Sequence, residues 1–347
     1  MDSFLAKHLQ GVSRTYAILV PMLPDALAEP VGSAYLLLRI VDTIEDDPRL
    51  STDERLRHFA LLETALGEDP DAAGALPQPL GNTADERALM RDAPQVLARV
   101  RALAPEYRAP VTGCARAMIA GVRRLILRST ERGLAYPAVR NTAELREYCY
   151  YVAGVVGEML CAMMAHFLKL PALERLQEVA VELGIGLQLV NILKDALKDS
   201  AQGRRYLPMP VDSPKRAGEE SSEPSAAPRP GRRANPKRQR GAPHVAQAEI
   251  YKAVLNEARL SLQRGVEFVL ALPAGARELR SFCGLPIAWG AMTLARAERD
   301  ARQAKIGRDA IRSSIEAFGH LASDDHALRQ WLSGMLQASP CGVPTAS

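Results

Sequence analysis

The sequence predicts an all-α protein, and three observations predict it. Apolar residues recur at three- and four-residue spacing over most of the chain. Period-two runs rich in Val, Ile and Thr, the mark of half-buried strands, are essentially absent. Breakers fall between the periodic segments. In chain order the spacing predicts helices over 31–46, 94–104, 111–128, 143–168, 173–200, 246–271 and 283–303. Asp69-Pro70 and the two-proline stretch from Leu76 to Asn82 follow the first segment, and Leu272-Pro273-Ala274-Gly275 separates the last two. There is no internal repeat of fixed period.

The 347 residues are 47% hydrophobic and 24% charged, which excludes a wholly disordered, collagen-like or disulfide-scaffold chain. That is ample apolar sequence for one domain over 1–338, followed by a flexible tail over 339–347. The formal charge of +4 belongs to one region. Residues 211–245 hold eight Lys/Arg and four Asp/Glu, so the rest of the chain balances at 36 of each. The wider stretch 209–245 is rich in Pro and Arg and has no aromatic residue, so it is expected to be a disordered insertion within the domain. Peripheral contact with an anionic membrane is one use for it; nucleic-acid binding lacks aromatic interleaving and any binding motif. Five scattered cysteines (Cys114, Cys149, Cys161, Cys283, Cys341) without a C-x-x-C pair point to a reducing, cytoplasmic setting. No stretch approaches 18 uninterrupted apolar residues, and the N-terminus lacks a secretory pattern, so no transmembrane anchor is expected.

Two helical faces carry the chemistry. In Tyr35–Pro48, the residues Tyr35, Arg39, Asp42 and Asp46 fall within about 60° of one another on a helix, with Glu45 at the flank. Leu36, Leu37, Ile40 and Ile44 occupy much of the rest. Charge on such a helix is costly unless paired or metal-bound. Pro48 ends the helix, leaving the acids at its C-terminal end, where the macrodipole already disfavours anions. In the second stretch, Gln188, Asn191, Asp195 and Asp199 fall within about 80° on an equally apolar helix. Gly184 and Gly186 before it allow close approach by another helix or ligand, and Gly203-Arg204-Arg205-Tyr206-Leu207-Pro208 follows as a basic turn suited to phosphate. A lone acid pair at i,i+4 is most simply a solvated surface pair. Two such faces, each embedded in apolar sequence with polar partners in register, suit Mg²⁺ bridging carboxylates to a diphosphate.

These motifs, with Ser13-Arg14-Thr15-Tyr16, Tyr148-Cys149-Tyr150-Tyr151-Val152-Ala153-Gly154 and Gln188 through Pro208, resemble the squalene/phytoene synthases, the head-to-head prenyl synthases. The resemblance runs over nearly the whole chain outside the insertion. It implies an isoprenoid-synthase-type helical bundle around a central cavity. It also implies a monomeric enzyme that condenses two farnesyl diphosphates through presqualene diphosphate and reduces the product with NADPH. Leu38-Arg39-Ile40-Val41-Asp42-Thr43-Ile44-Glu45-Asp46-Asp47 and Arg280–Pro286 are similar to squalene synthases; Tyr148–Gly154 and Tyr206-Leu207-Pro208 are equally at home in phytoene synthases. Phytoene, dehydrosqualene or presqualene diphosphate synthesis without reduction is the alternative, and a scaffold on the same fold is the non-enzymatic one.

By the same resemblance, Asp42, Glu45, Asp46, Asp195 and Asp199 bind Mg²⁺, and Ser13, Arg14, Arg39, Gln188, Asn191, Lys194 and Arg204 meet the substrates. Tyr151 matches a tyrosine implicated in the first half-reaction, Tyr35 lies near the reacting carbons, and Asn191, Lys194 and Lys305 serve the NADPH half-reaction. Lys194 stands where relatives usually carry arginine and lacks its bidentate fork. Lys198 and Glu158 are further departures. Cys149 and Cys283 read as small core residues.

Overall fold

Each segment with helical periodicity is helical in the computed structural model, which describes residues 2–67, 69–76, 79–201, 204–208, 242–300, 302 and 304–337. Among the described residues there is no β-strand. The helices are α1 (Ser3–Val12), α2 (Tyr16–Leu19), α3 (Asp25–Asp46), α4 (Thr52–Ala65), α5 (Ala84–Arg91), α6 (Ala93–Ala102) and α7 (Pro105–Glu131). They continue with α8 (Thr142–Cys149), α9 (Val155–Leu168), α10 (Gln177–Ala201), α11 (Ala242–Ala271), α12 (Arg277–Arg299), α13 (Arg308–Leu321) and α14 (Asp325–Gln337). A π-helical turn, Tyr150–Gly154, joins α8 to α9.

Helix ends follow local chemistry. Pro48 stops α3 as expected: Asp46 is its last residue and Asp47 is extended. Three of the helices that periodicity missed are announced by caps. Ser51 with Glu54 and Thr83 with Glu86 form capping boxes at the starts of α4 and α5, and Asp2 caps α1 through the Leu5 N–H. The expected insertion over 209–245 lies outside the described residues except for its last four, which belong to the start of α11; the expected tail lies outside them too.

The buried apolar side chains form one connected cluster from Leu5 to Leu336. α10 sits among α9, the π-turn, α11 and α12. Glycine makes the closest approach possible: a Cβ on Gly184 would lie 2.2 Å from the Ala153 carbonyl oxygen, and one on Gly157 2.1 Å from that of Ala180. The stretches Thr142–Leu168 and Pro171–Ala201 are each long and apolar enough to cross a membrane by composition. The criterion of uninterrupted apolar runs passed over them. Their apolar character has another outlet here, since about half of each window is buried inside the bundle.

Candidate active site

A cavity of about 240 Å³ opens between α3, the π-turn, α9, α10 and α12. Its body is apolar, with Leu38, Met118, Leu160, Leu183, Phe268 and Phe282 among its walls. Arg39, Asp42, Gln188 and Asn191 supply polar groups to the same wall. Tyr35 lines it as well, its ring 4.9 Å from that of Tyr16, which in turn meets Phe282 at 6.0 Å. Tyr35, Arg39 and Asp42 of one predicted face and Gln188 and Asn191 of the other thus line one cavity, whereas Asp46, Asp195 and Asp199 are not among its lining residues. Cys283, which also borders the cavity, and Cys149 are both buried in the core, as expected of small core residues.

The end of α3 is densely partnered. Arg39 forms an ion pair with Asp42 at 2.8 Å and donates to Glu86 at 2.6 Å. Enclosure in the cavity wall, with Arg39 working against it, pushes Asp42 up to about 6. Arg204 reaches Asp46 at 2.8 Å and also donates to its carbonyl at 3.0 Å. The Tyr206 hydroxyl donates to Asp46 at 3.3 Å. Asp47 is fully buried on the opposite side, accepting from Arg49 and from the Gly81 N–H at 3.0 Å. Arg49 beside it overcomes the effect of burial and holds Asp47 at about 2.

Glu45 is seated differently from its expected role. It is 3% exposed, accepts from the Tyr136 hydroxyl at 2.6 Å, and keeps one carboxylate oxygen buried without a partner. Burial first, then Asp46 and Asp42, push it up to about 8. The angular reading put it at the flank of the stripe, and packing turns that flank into the protein, not toward the cavity.

At the end of α10, Lys194 donates to Asn191 at 2.9 Å and stands 3.4 Å from Asp195. The Arg204 N–H donates to the Asp199 carbonyl at 2.8 Å, so the arginine that holds Asp46 also begins at this helix end. Burial, Asp195 and Asp46 raise Asp199 against the pull of Arg204.

Other predicted residues are spread more widely. The Ser13 hydroxyl accepts from the Tyr16 N–H at 2.9 Å, at the start of α2, and Arg14 is exposed beside it. Tyr151 is not among the residues lining the cavity. The π-turn leaves Val152 and Ala153 to line it, while the Tyr151 ring lies against Gly121 of α7 and its hydroxyl is 3.5 Å from Arg124. Lys305 is exposed, its carbonyl held by Arg296, and it does not line the cavity. Glu158 accepts from the Tyr150 hydroxyl at 3.0 Å. Sequence reasoning missed Glu86 and Tyr136. Thr83-x-x-Glu86 signals only a helix start, and nothing local marks Tyr136, which is 91 residues from Glu45.

Among the described residues no three His, Cys, Asp or Glu side chains stand close enough to hold a metal ion by themselves. The donor set nonetheless suits a hard cation. Burial raises Asp42 and Asp199, and the charge of Asp46 adds to the rise of both. Mg²⁺ ordinarily takes only one or two carboxylates and completes its shell with water and substrate phosphate. Asp42, Asp46, Asp195 and Asp199 fit that pattern, whereas Glu45 faces tyrosines.

The profile of the squalene/phytoene synthase family matches residues 9–318. The chain is 31% identical over 197 residues to the squalene synthase LSS of Botryococcus braunii, covering 56% of this chain and 39% of that protein. It is 28% identical over 206 residues to the squalene synthase of Homo sapiens, covering 59% and 46%. The matches thus span less than half the length of these curated relatives. In three dimensions it superposes on TcSQS in complex with a ligand, with a TM-score of 0.73 at 21% identity over 96% of this chain and 88% of that one. A dehydrosqualene synthase superposes with a TM-score of 0.54 at 18% identity, covering 92% and 95%. At such identities these two likenesses speak to the fold.

Proposed function

Since this chain belongs to the squalene/phytoene synthase family, we propose that it is a prenyltransferase that joins two farnesyl diphosphates head to head through presqualene diphosphate and reduces the product to squalene with NADPH. The observation that carries this reading is one apolar cavity whose polar residues come from two acid-bearing helices, with Arg39 paired to Asp42 and Arg204 to Asp46. Such a site accepts a hydrocarbon tail in its body and a diphosphate at its acidic side.

Asp42 and Asp46 on α3, with Asp195 and Asp199 on α10, are the residues proposed to hold Mg²⁺, which when bound supplies Lewis-acid stabilisation of the departing diphosphate. Arg39 and Arg204 offer guanidinium N–H groups to the same oxygens. Leu38, Leu160, Leu183 and Phe282 exclude water, so that an allylic cation meets the double bond of the second substrate before it meets solvent. Tyr35 and Tyr16 present aromatic rings toward that space, a setting that stabilises positive charge. NADPH, when bound, supplies hydride for the reductive half; Asn191, Lys194 and Lys305 are the residues proposed to meet it.

The test is incubation with farnesyl diphosphate and Mg²⁺, with and without NADPH, followed by lipid extraction. Squalene formed only with NADPH supports the reading. Turnover of geranylgeranyl diphosphate alone moves it to phytoene synthesis, and absence of any product while Asp42→Ala binds substrate like the unaltered protein moves it to a scaffold.

A further inference from the structure

Glu86 lies outside both acidic motifs and does two things with one carboxylate. Its Oε2 accepts from the Asn82 N–H at 2.8 Å and the Thr83 N–H at 3.0 Å, completing the cap of α5. Its Oε1 is left over from the cap, and accepts from Arg39 Nη2 at 2.6 Å. The residue is 8% exposed. Burial works to raise its carboxyl, and Arg39 with the two N–H groups more than offsets this, leaving it below the usual range.

The turn that carries Glu86 is itself strapped to the end of α3. The Gly81 N–H donates to the buried Asp47, and Arg49 donates to the carbonyls of Pro79 at 3.0 Å and Gly81 at 3.2 Å. Gly81 needs its φ of +108°, and a Cβ there would lie 2.8 Å from that of Glu86. Both ends of the Glu86–Arg39 bond are therefore fixed to the same helix end. Arg39 alone is a long side chain with much rotamer freedom to lose. Its Nε is buried without a hydrogen-bond partner, so Asp42 and Glu86 are what hold its guanidinium in the cavity wall.

We infer that Glu86 is a positioning residue: anchored in the cap of α5, it fixes the Arg39 guanidinium at the cavity so that Nη1 stays on the diphosphate side beside Asp42. The inference rests on the reading of Arg39 as a diphosphate contact.

The experiment measures binding of inorganic pyrophosphate with Mg²⁺ to the full chain by titration calorimetry. The variants are Glu86→Gln, Arg39→Ala, their double, and Thr83→Ala as a cap control. Losing a charge-assisted bond is expected to weaken pyrophosphate about tenfold in Glu86→Gln. The same change on the Arg39→Ala background is expected to have no further effect. Thr83→Ala, which loses the cap hydroxyl and keeps the carboxylate, is expected to lower the melting temperature without changing affinity. Unchanged or tighter binding by Glu86→Gln overturns the inference, the tighter result showing a carboxylate that acts by repulsion alone. So does an equal loss on the Arg39→Ala background or in Thr83→Ala. Should Glu86→Gln not fold, Glu86→Asp keeps the charge but shortens the reach; weaker binding supports the inference and unchanged binding overturns it. Failure of the unaltered protein to bind pyrophosphate overturns the parent reading with it, whereas an Arg39→Ala loss without a Glu86→Gln loss overturns only the positioning role.

Discussion

The two acid-bearing helices line one cavity, and their acidic ends are held in different ways. At the end of α3, partners arrive from distant parts of the chain: Tyr136 on Glu45, Arg204 and Tyr206 on Asp46, Gly81 on Asp47, and Glu86 on the arginine beside Asp42. Among the described residues, the contacts of the polar side chains at the end of α10 are mostly local, with Lys194 spanning Asn191 and Asp195, while the Tyr251 hydroxyl reaches the Leu193 carbonyl at 3.3 Å. A similar i,i+4 spacing of acids has become a preorganised wall in one helix and an adaptable one in the other. Ordering cost is met during folding at α3 and is left for ligand binding at α10.

The strongest way to break this comparison is to treat both ends alike. Asp42→Asn is expected to lower turnover of farnesyl diphosphate on the order of 10²–10³-fold, by analogy with the loss of a preorganised electrostatic group. Asp195→Asn, on the looser end, is expected to cost nearer tenfold by the same product assay; equal losses would dissolve the distinction. Because Asp42 is pushed up to about 6, Mg²⁺-dependent pyrophosphate binding is expected to weaken as pH falls from 7 to 5, read by calorimetry.

A second prediction concerns the stability of the preorganised end. The folded pKa of Glu45, about 8, lies above its unfolded value of 4.5. Its protonated form therefore stabilises the fold fully below about pH 4.5, and that contribution is lost as pH rises through about 8. In metal-free buffer Glu45→Gln is expected to be more stable than the unaltered protein at pH 8.5 by roughly 2 kcal/mol or more, with the gap closing toward pH 5 in urea denaturation. A gap independent of pH would show that Glu45 is not the titrating group.

Smaller effects sharpen the contrast. Tyr136→Phe deprives Glu45 of its hydroxyl donor and is expected to cost about 1–3 kcal/mol by the same denaturation at pH 8.5. Lys194→Ala should cost less than about 0.5 kcal/mol, since Lys194 is 29% exposed and its ion pair with Asp195 is long. A Lys194 effect as large as that of Tyr136 would mean that the end of α10 is as rigid as that of α3.

Much of the fold was legible because helix periodicity is local. The segment 31–46 shows its apolar stripe, and Pro48 its stop, within a few residues. Helix α4 escaped because its apolar spacing is weak, and α5 because its eight residues are too few to show a period, although their Ser51/Glu54 and Thr83/Glu86 boxes are written in the sequence. In the site, Arg39, Asp42, Gln188 and Asn191 were readable as faces because i,i+3 and i,i+4 neighbours share a side of any helix. Tyr151 was not, because a π-turn interrupts the regular register between α8 and α9. Glu45 was not either, since the flank of a polar stripe turns toward cavity or core according to what packs there.

By itself the sequence determined the helical class, the two acidic faces and the basic turn, all of which depend on contacts within a few residues along the chain. The tertiary structure alone decided that the two faces share one cavity, that Arg204 ties them at Asp46, that Glu45 is sunk among tyrosines, and that Glu86 stands behind Arg39. Those pairings bridge residues from 47 to 158 positions apart. Which distant side chain fills a given place follows from how the helices pack, and periodicity carries no information about that.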